Sequence, residues 1–173
     1  MHVVKIPFDQ KKAAEMWPSF VPNIEDKHGS SGHTGNRLEE AAVSLVQTHF
    51  PGVEICIDHS TDVVGQFYGI DYTLIKRDRS ITVDVKGGRT GVYWDRDNRY
   101  WYVTIRDDFF NERKINSHFM HVGPKGDLYA IYSKRKMKEH IEANPHLLIP
   151  DTYGSRLKIK DLPQGSDSNI NAY

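Results

Sequence analysis

The stretch Gly69–Gly88 constrains this chain more than any other. It reads as two strands joined by the charged turn Lys76-Arg77-Asp78-Arg79. Ile70, Tyr72 and Leu74 alternate with Asp71 and Thr73, and Ile81, Val83 and Val85 alternate with Thr82, Asp84 and Lys86. A period of two, filled with β-branched and aromatic residues, predicts strands. Asp84 and Lys86 stand two apart, so their side chains leave the same face. Asp71 lies near the start of the neighbouring strand and can point at the same spot. Two carboxylates and an ammonium converging there form a hard-cation site with a charged group beside it. The competing account is a hairpin with one solvated, charged face. The apolar flanks of both strands favour a buried sheet, where charge is costly without a purpose.

A chain of 173 residues suits one domain and buries roughly 70% of its extended surface, so it needs no disulfide staple. The lone Cys56 excludes an intramolecular disulfide and fits a reducing compartment. The N-terminus lacks the apolar run of a signal peptide, and no stretch approaches the ~20 apolar residues of a membrane span. The expectation is a cytoplasmic protein with no membrane partner. Zero net charge argues against coating nucleic acid through bulk charge, yet allows a local basic face around an acidic centre.

Along the chain, residues 1–8 read as a short strand or arm, and Asp9 caps a helix running to Trp17, ended by Pro18 and Pro22. Residues 26–35 form a polar, Gly/Ser-rich stretch. A helix follows from about Gly35 to Phe50, closed by Pro51-Gly52. Leu38, Ala41, Ala42, Leu45 and Val46 make its apolar face; Glu39 borders that face, and Glu40 aligns with Ser44 and Gln47 on the polar side. Strands are expected at Val53–Ile57, through the opening hairpin, at Tyr93-Trp94 and Arg99–Ile105, at Phe119–Val122 and at Leu128–Tyr132. Ser133 caps a helix to Ala143, a short strand spans Arg156–Ile159, and the polar residues from Pro163 onward are expected to fray. The order predicts an α/β sandwich with a central mixed β-sheet flanked by helices.

Glu39, Asp71, Asp84 and Lys86 together resemble the PD-(D/E)XK nuclease superfamily over roughly residues 35–132. Gly-Ile-Asp71 stands for the "PD" element, with Ile70 in place of proline, and Asp84-Val85-Lys86 is the D/E-x-K triplet. The position of Glu39, four residues after Gly35, is similar to the first helix of archaeal Holliday-junction resolvases. The resemblance implies a restriction-endonuclease-like core at 35–162, with 1–34 an N-terminal extension and 163–173 a polar tail of one domain. It implies DNA as partner, Mg²⁺ or Mn²⁺ as cofactor, and a homodimer. Asp71 and Asp84 would bind the ion, the Val85 carbonyl could add a ligand, and Glu39 would complete the site or hold a second ion. Lys86 would orient the attacking water or stabilise developing charge; beside carboxylates it is assigned electrostatics rather than free-base chemistry.

Other residues extend this reading. Arg89, Lys134, Arg135 and Lys136 can meet phosphates, or the helix run can be a solvated face. Tyr93, Trp94, Tyr100, Trp101 and Tyr102 can stack bases, although alternate members of a strand belong to a core. His118 and His121 have ligand-like spacing but face opposite ways on a strand. Asp58, His59 and Asp62, in the loop before the Asp71 strand, could touch a metal or the scissile phosphate, with surface loop polarity as the favoured account. Two functions stand side by side: a Mg²⁺-dependent DNA endonuclease, and an inactive nucleic-acid-binding or interaction module that keeps the fold.

Overall fold

The computed structural model describes residues 1–16 and 30–170, with side chains from residue 37 onward in the second stretch. The predicted helix end at Trp17-Pro18, the residues 26–29 of the polar stretch and the last residues 171–173 lie outside the described residues.

The elements in chain order are β1 (His2–Lys5), α1 (Gln10–Met16), α2 (Ser30–His49), β2 (Ile55–Asp58), α3 (Val63–Phe67), β3 (Tyr72–Lys76), β4 (Arg79–Lys86), β5 (Val92–Asp95), β6 (Tyr100–Ile105), β7 (His118–Val122), β8 (Tyr129–Ser133), α4 (Lys134–Ala143), β9 (Ile149–Asp151), β10 (Gly154–Lys158) and β11 (Asp167–Ser168). Seven strands form one sheet in the order β1-β2-β3-β4-β7-β8-β11, and four form a second in the order β5-β6-β10-β9. The first sheet is mixed: β1 runs parallel to β2 and β4 parallel to β7, and its other pairings are antiparallel. The α/β class with a central mixed sheet is therefore the architecture observed.

Two apolar clusters hold the layers together. Leu38, Ala42, Leu45 and Val46 of α2 pack on Cys56, Tyr72, Leu74, Val83, Met120, Val122 and Ile131, which cover one face of the large sheet. On its other face, Phe119, Ala130 and Tyr132 meet Val92, Val103, Ile105 and Leu157 of the small sheet, together with Phe109 and Met137. Alternation along the strands explains the split, because successive residues of β7 and β8 serve opposite faces.

The β3–β4 hairpin forms as the alternation predicts, with Tyr72 opposite Val83 and Lys76 opposite Arg79. Its tip turns at Arg77, whose φ is +53°. Three boundaries differ from the sequence reading. The α2 helix begins at Ser30 rather than Gly35. A short helix, α3, occupies 63–67, where the carboxylate of Asp62 accepts from the N–H groups of Val64 and Gly65. The tail is not frayed over 167–170: β11 pairs with β8, Tyr129 Oη donates to Asp167, and Asn169 bonds the backbone of both Asp127 and Tyr129. Those side-chain bonds to backbone lie outside any periodic pattern, which is why polarity alone misjudged the segment. Among the described residues no helix is long and apolar enough to cross a membrane.

Candidate metal centre

Asp71 precedes β3 by one residue, directly before the registered Tyr72–Val83 pair, and so faces Asp84 across the hairpin. Gly69 makes this entry possible. Its φ of +68° lies in the left-handed region, and a Cβ there would meet the Lys114 side chain at 3.0 Å. Asp71 N donates to the Val83 carbonyl at 2.9 Å, and Asp71 Oδ2 accepts from Val85 N at 2.6 Å. The triplet residue Val85 thus engages the aspartate through its backbone N–H.

On β4, Asp84 is buried and Lys86 mostly so, with Lys86 Nζ 2.5 Å from Asp84 Oδ1. Their registered neighbours on β7 are Phe119 and His121, on the face turned towards the small sheet. Lys86 Nζ lies 5.0 Å from the centre of the Phe109 ring and 5.8 Å from that of Phe119, so aromatic faces surround the ammonium. The second oxygen of Asp84, Oδ2, is buried and has no hydrogen-bond partner among the described residues.

Glu39 reaches the neighbourhood from the opposite layer. Leu38 of α2 lies against Gly87, where a Cβ would fall 2.1 Å from Leu38 Cδ1, so the helix approaches the end of β4 closely. Glu39 is half-buried and Glu40 exposed, as the helix pattern predicts. The Asp71 carboxyl is pushed up to about 8, by burial first, then by the charges of Asp84 and Glu39; the Val85 N–H and the Lys86 ammonium oppose the rise. Burial first, then the charges of Asp58, Glu39 and Asp71, raise Tyr72.

Among the described residues no three His, Cys, Asp or Glu side chains close into a preformed ion cage. Magnesium is commonly held by one or two carboxylates with waters and substrate phosphates, which the pair Asp71 and Asp84 can provide. The donor set fits such an ion on two grounds: an orphaned, buried carboxylate oxygen, and a neighbouring carboxyl raised by burial first and then by the charges of Asp84 and Glu39.

The remaining predicted residues are placed as follows. His121 is fully buried, contacts the Thr90 carbonyl through Nδ1 and lies 2.6 Å from Tyr132 Oη through Nε2. Burial lowers it to about 3, so it is a neutral brace beneath the turn that follows Lys86. Half-buried His118 lies 2.9 Å from Ser117 Oγ. His59 bridges Asp62 and Thr73, each at 2.9 Å, while Asp58 accepts from Ser60 N. Arg89 is exposed and stacks on Tyr153 at 4.3 Å. Lys134 Nζ donates to the carbonyls of Lys114 and Asn111, Lys136 Nζ to that of Gln164, and Arg135 faces Glu139 at 3.9 Å. Of the aromatics, Trp101 packs against the shared core, whereas Tyr102 and Tyr100 carry Arg156 and Lys158 over their rings. Lys114 and Phe109 border the centre without having been singled out in the sequence. Their loop, 106–117, has no periodicity, and Lys114 reaches the site through a contact with Gly69 that no local pattern encodes.

No protein family and no curated protein matches this sequence. Among solved structures, the chain is similar to a bacterial homing endonuclease, I-Ssp6803I, with a TM-score of 0.43 and 13% identity over 75% of this chain and 78% of that one. At that score the reading of the site rests on this chain's own residues.

Proposed function

We propose that the chain is a metal-dependent nuclease that hydrolyses phosphodiester bonds of DNA, with Asp71 and Asp84 as ligands of Mg²⁺ or Mn²⁺. The observation that carries this reading is the orphaned Oδ2 of buried Asp84, on the residue opposite an Asp71 carboxyl that burial first, and then the charges of Asp84 and Glu39, push upward. Two carboxyl groups this close at the end of a buried hairpin cannot both stay ionised without a partner: Asp71 keeps its proton, or a cation takes the proton's place. The ion, when bound, would polarise a phosphoryl oxygen and lower the pKa of a bound water.

The chain's own groups have separate tasks in this scheme. Asp71 and Asp84 present oxygens, and the Val85 N–H fixes the orientation of Asp71. Lys86 holds positive charge where the phosphorane develops its negative charge, steadied by Asp84 and the Phe109 ring. Glu39 adds negative charge from α2, which strengthens the demand for a cation. His121, neutral and buried, braces the Gly88–Thr90 turn that follows Lys86.

The test incubates plasmid, linear duplex, single-stranded and branched DNA with Mg²⁺ or Mn²⁺, beside Asp84→Ala. The expected result is cleavage of at least one substrate by the wild type and a loss of about 10³-fold or more in the variant. Absence of cleavage by the wild type, or equal cleavage by Asp84→Ala, overturns the proposal.

A further inference from the structure

Beside the carboxylates lies a second lysine whose ammonium forms no ion pair among the described residues. Phe109 stands on a short 3-10 turn at Asp107–Phe110, is buried, and stacks on Phe119 at 5.2 Å. Two ammonium groups share its ring: Lys86 Nζ at 5.0 Å and Lys114 Nζ at 5.8 Å from the centroid. Lys86 has Asp84 as its counterion. Half-buried Lys114 has no carboxylate within ion-pair reach among the described residues. Burial and the Lys86 charge both disfavour its ammonium, and Asp84 and Asp108 only partly offset them.

Lys114 is also held in place. Its stem lies along Gly69, Ile115 N donates to the Tyr68 carbonyl at 3.0 Å, and Lys134 Nζ bonds the Lys114 carbonyl. The loop is therefore tied to the segment that delivers Asp71 and to the start of α4. A surface lysine ordinarily swings free in water with a stem of about 2 kcal/mol of rotamer entropy. Here the chain orders that stem in the direction of the centre, and among the described residues no carboxylate pairs with its ammonium.

We infer that Lys114, together with Lys86, forms a phosphate subsite beside the Asp71–Asp84 carboxylates, which takes a backbone phosphate of a bound nucleic-acid strand. The ligand's identity as nucleic acid rests on the proposed nuclease reading; the demand for a tetrahedral oxyanion rests on the two lysines. A phosphate bound by both ammonium groups satisfies Lys114 and shares Lys86 with Asp84. Lys134 is then a positioning residue, since its ammonium fixes the loop carbonyls and not the ligand.

The experiment measures binding of a short duplex and a single strand in Ca²⁺ across a salt series, with cleavage in Mg²⁺ followed in parallel. For Lys114→Ala, with an unchanged melting temperature, binding at low salt is expected to weaken about 5–20-fold, and the slope of log affinity against log salt to fall by about one. Lys114→Arg should restore affinity to within about 3-fold of the wild type, since the guanidinium keeps the charge. Affinity and salt slope of Lys114→Ala equal to the wild type overturn the subsite, even if the wild type cuts DNA. Wild-type binding that depends on Lys114 without any cleavage upholds the subsite and overturns the nuclease reading. Absence of any binding by the wild type overturns both.

Discussion

Asp71 and His121 flank Lys86 on opposite sides, and their shifts give stability opposite dependences on pH. Asp71 is raised from 3.8 to about 8, so the folded chain holds its proton more tightly than the unfolded chain. Its contribution is full below pH 3.8 and is lost as the pH climbs through 8. His121 is lowered from 6.5 to about 3, so the unfolded chain binds that proton better, and stability is lost as the pH falls from 6.5 towards 3. Without divalent ions, urea midpoints of Asp71→Asn should therefore decline less between pH 5 and 8 than those of the wild type. An unaltered decline would remove Asp71 from the account. Removal of Lys86 acts differently. Lys86→Ala leaves Asp84 buried with both oxygens unpaired, and a cost of about 3 kcal/mol is expected in urea unfolding at pH 7. A loss below about 1 kcal/mol would mean that water or another cation already serves Asp84.

Among the elements, the β3–β4 hairpin was the most legible, because alternation determines which residues share a face, and Asp84 and Lys86 follow from it. The α2 helix was readable for the same reason, its apolar stripe turning Glu39 inward and Glu40 out. What the pattern does not carry is how closely two elements approach. Gly87 lets Leu38 come within reach of the end of β4, and that proximity brings the Glu39 charge to Asp71. Gly87→Ala should force Leu38 aside and destabilise the fold by about 1–3 kcal/mol. A Leu38→Ala partner mutation should recover part of that loss in a double-mutant cycle, and strictly additive costs would contradict the packing argument. The β11 strand was invisible for a related reason: its order comes from Asn169 and Asp167 bonding across to Tyr129, forty residues away in sequence or nearly so. Asn169→Ala leaves Tyr129 N and the Asp127 carbonyl without their partner and should cost about 1–3 kcal/mol.

At the scale of the whole molecule, the centre lies where three layers meet: α2, the large sheet and the small sheet. The mixed central sheet and the helices α1, α2 and α4 were legible in the sequence, whereas α3, the separate second sheet and the choice of core aromatics were not, since β6 carries aromatics on both its faces and only pairing with β5 and β10 decides between them. Lys114 stayed hidden because its contact with Gly69 joins two irregular segments. On the proposed reading, this convergence would make ion binding a global stability term. A divalent ion held by Asp71 and Asp84 binds the folded chain alone and should add about 2.7 kcal/mol at a hundredfold excess over its dissociation constant. Such an ion would also displace the Asp71 proton, so the gain should grow with pH, opposite to the ion-free trend. Melting temperatures with and without Mn²⁺ should therefore separate as the pH rises from 6 to 8, and Asp84→Asn should bring the two curves together. A separation independent of pH would place the ion elsewhere, because an exterior site has no reason to sense the Asp71 proton.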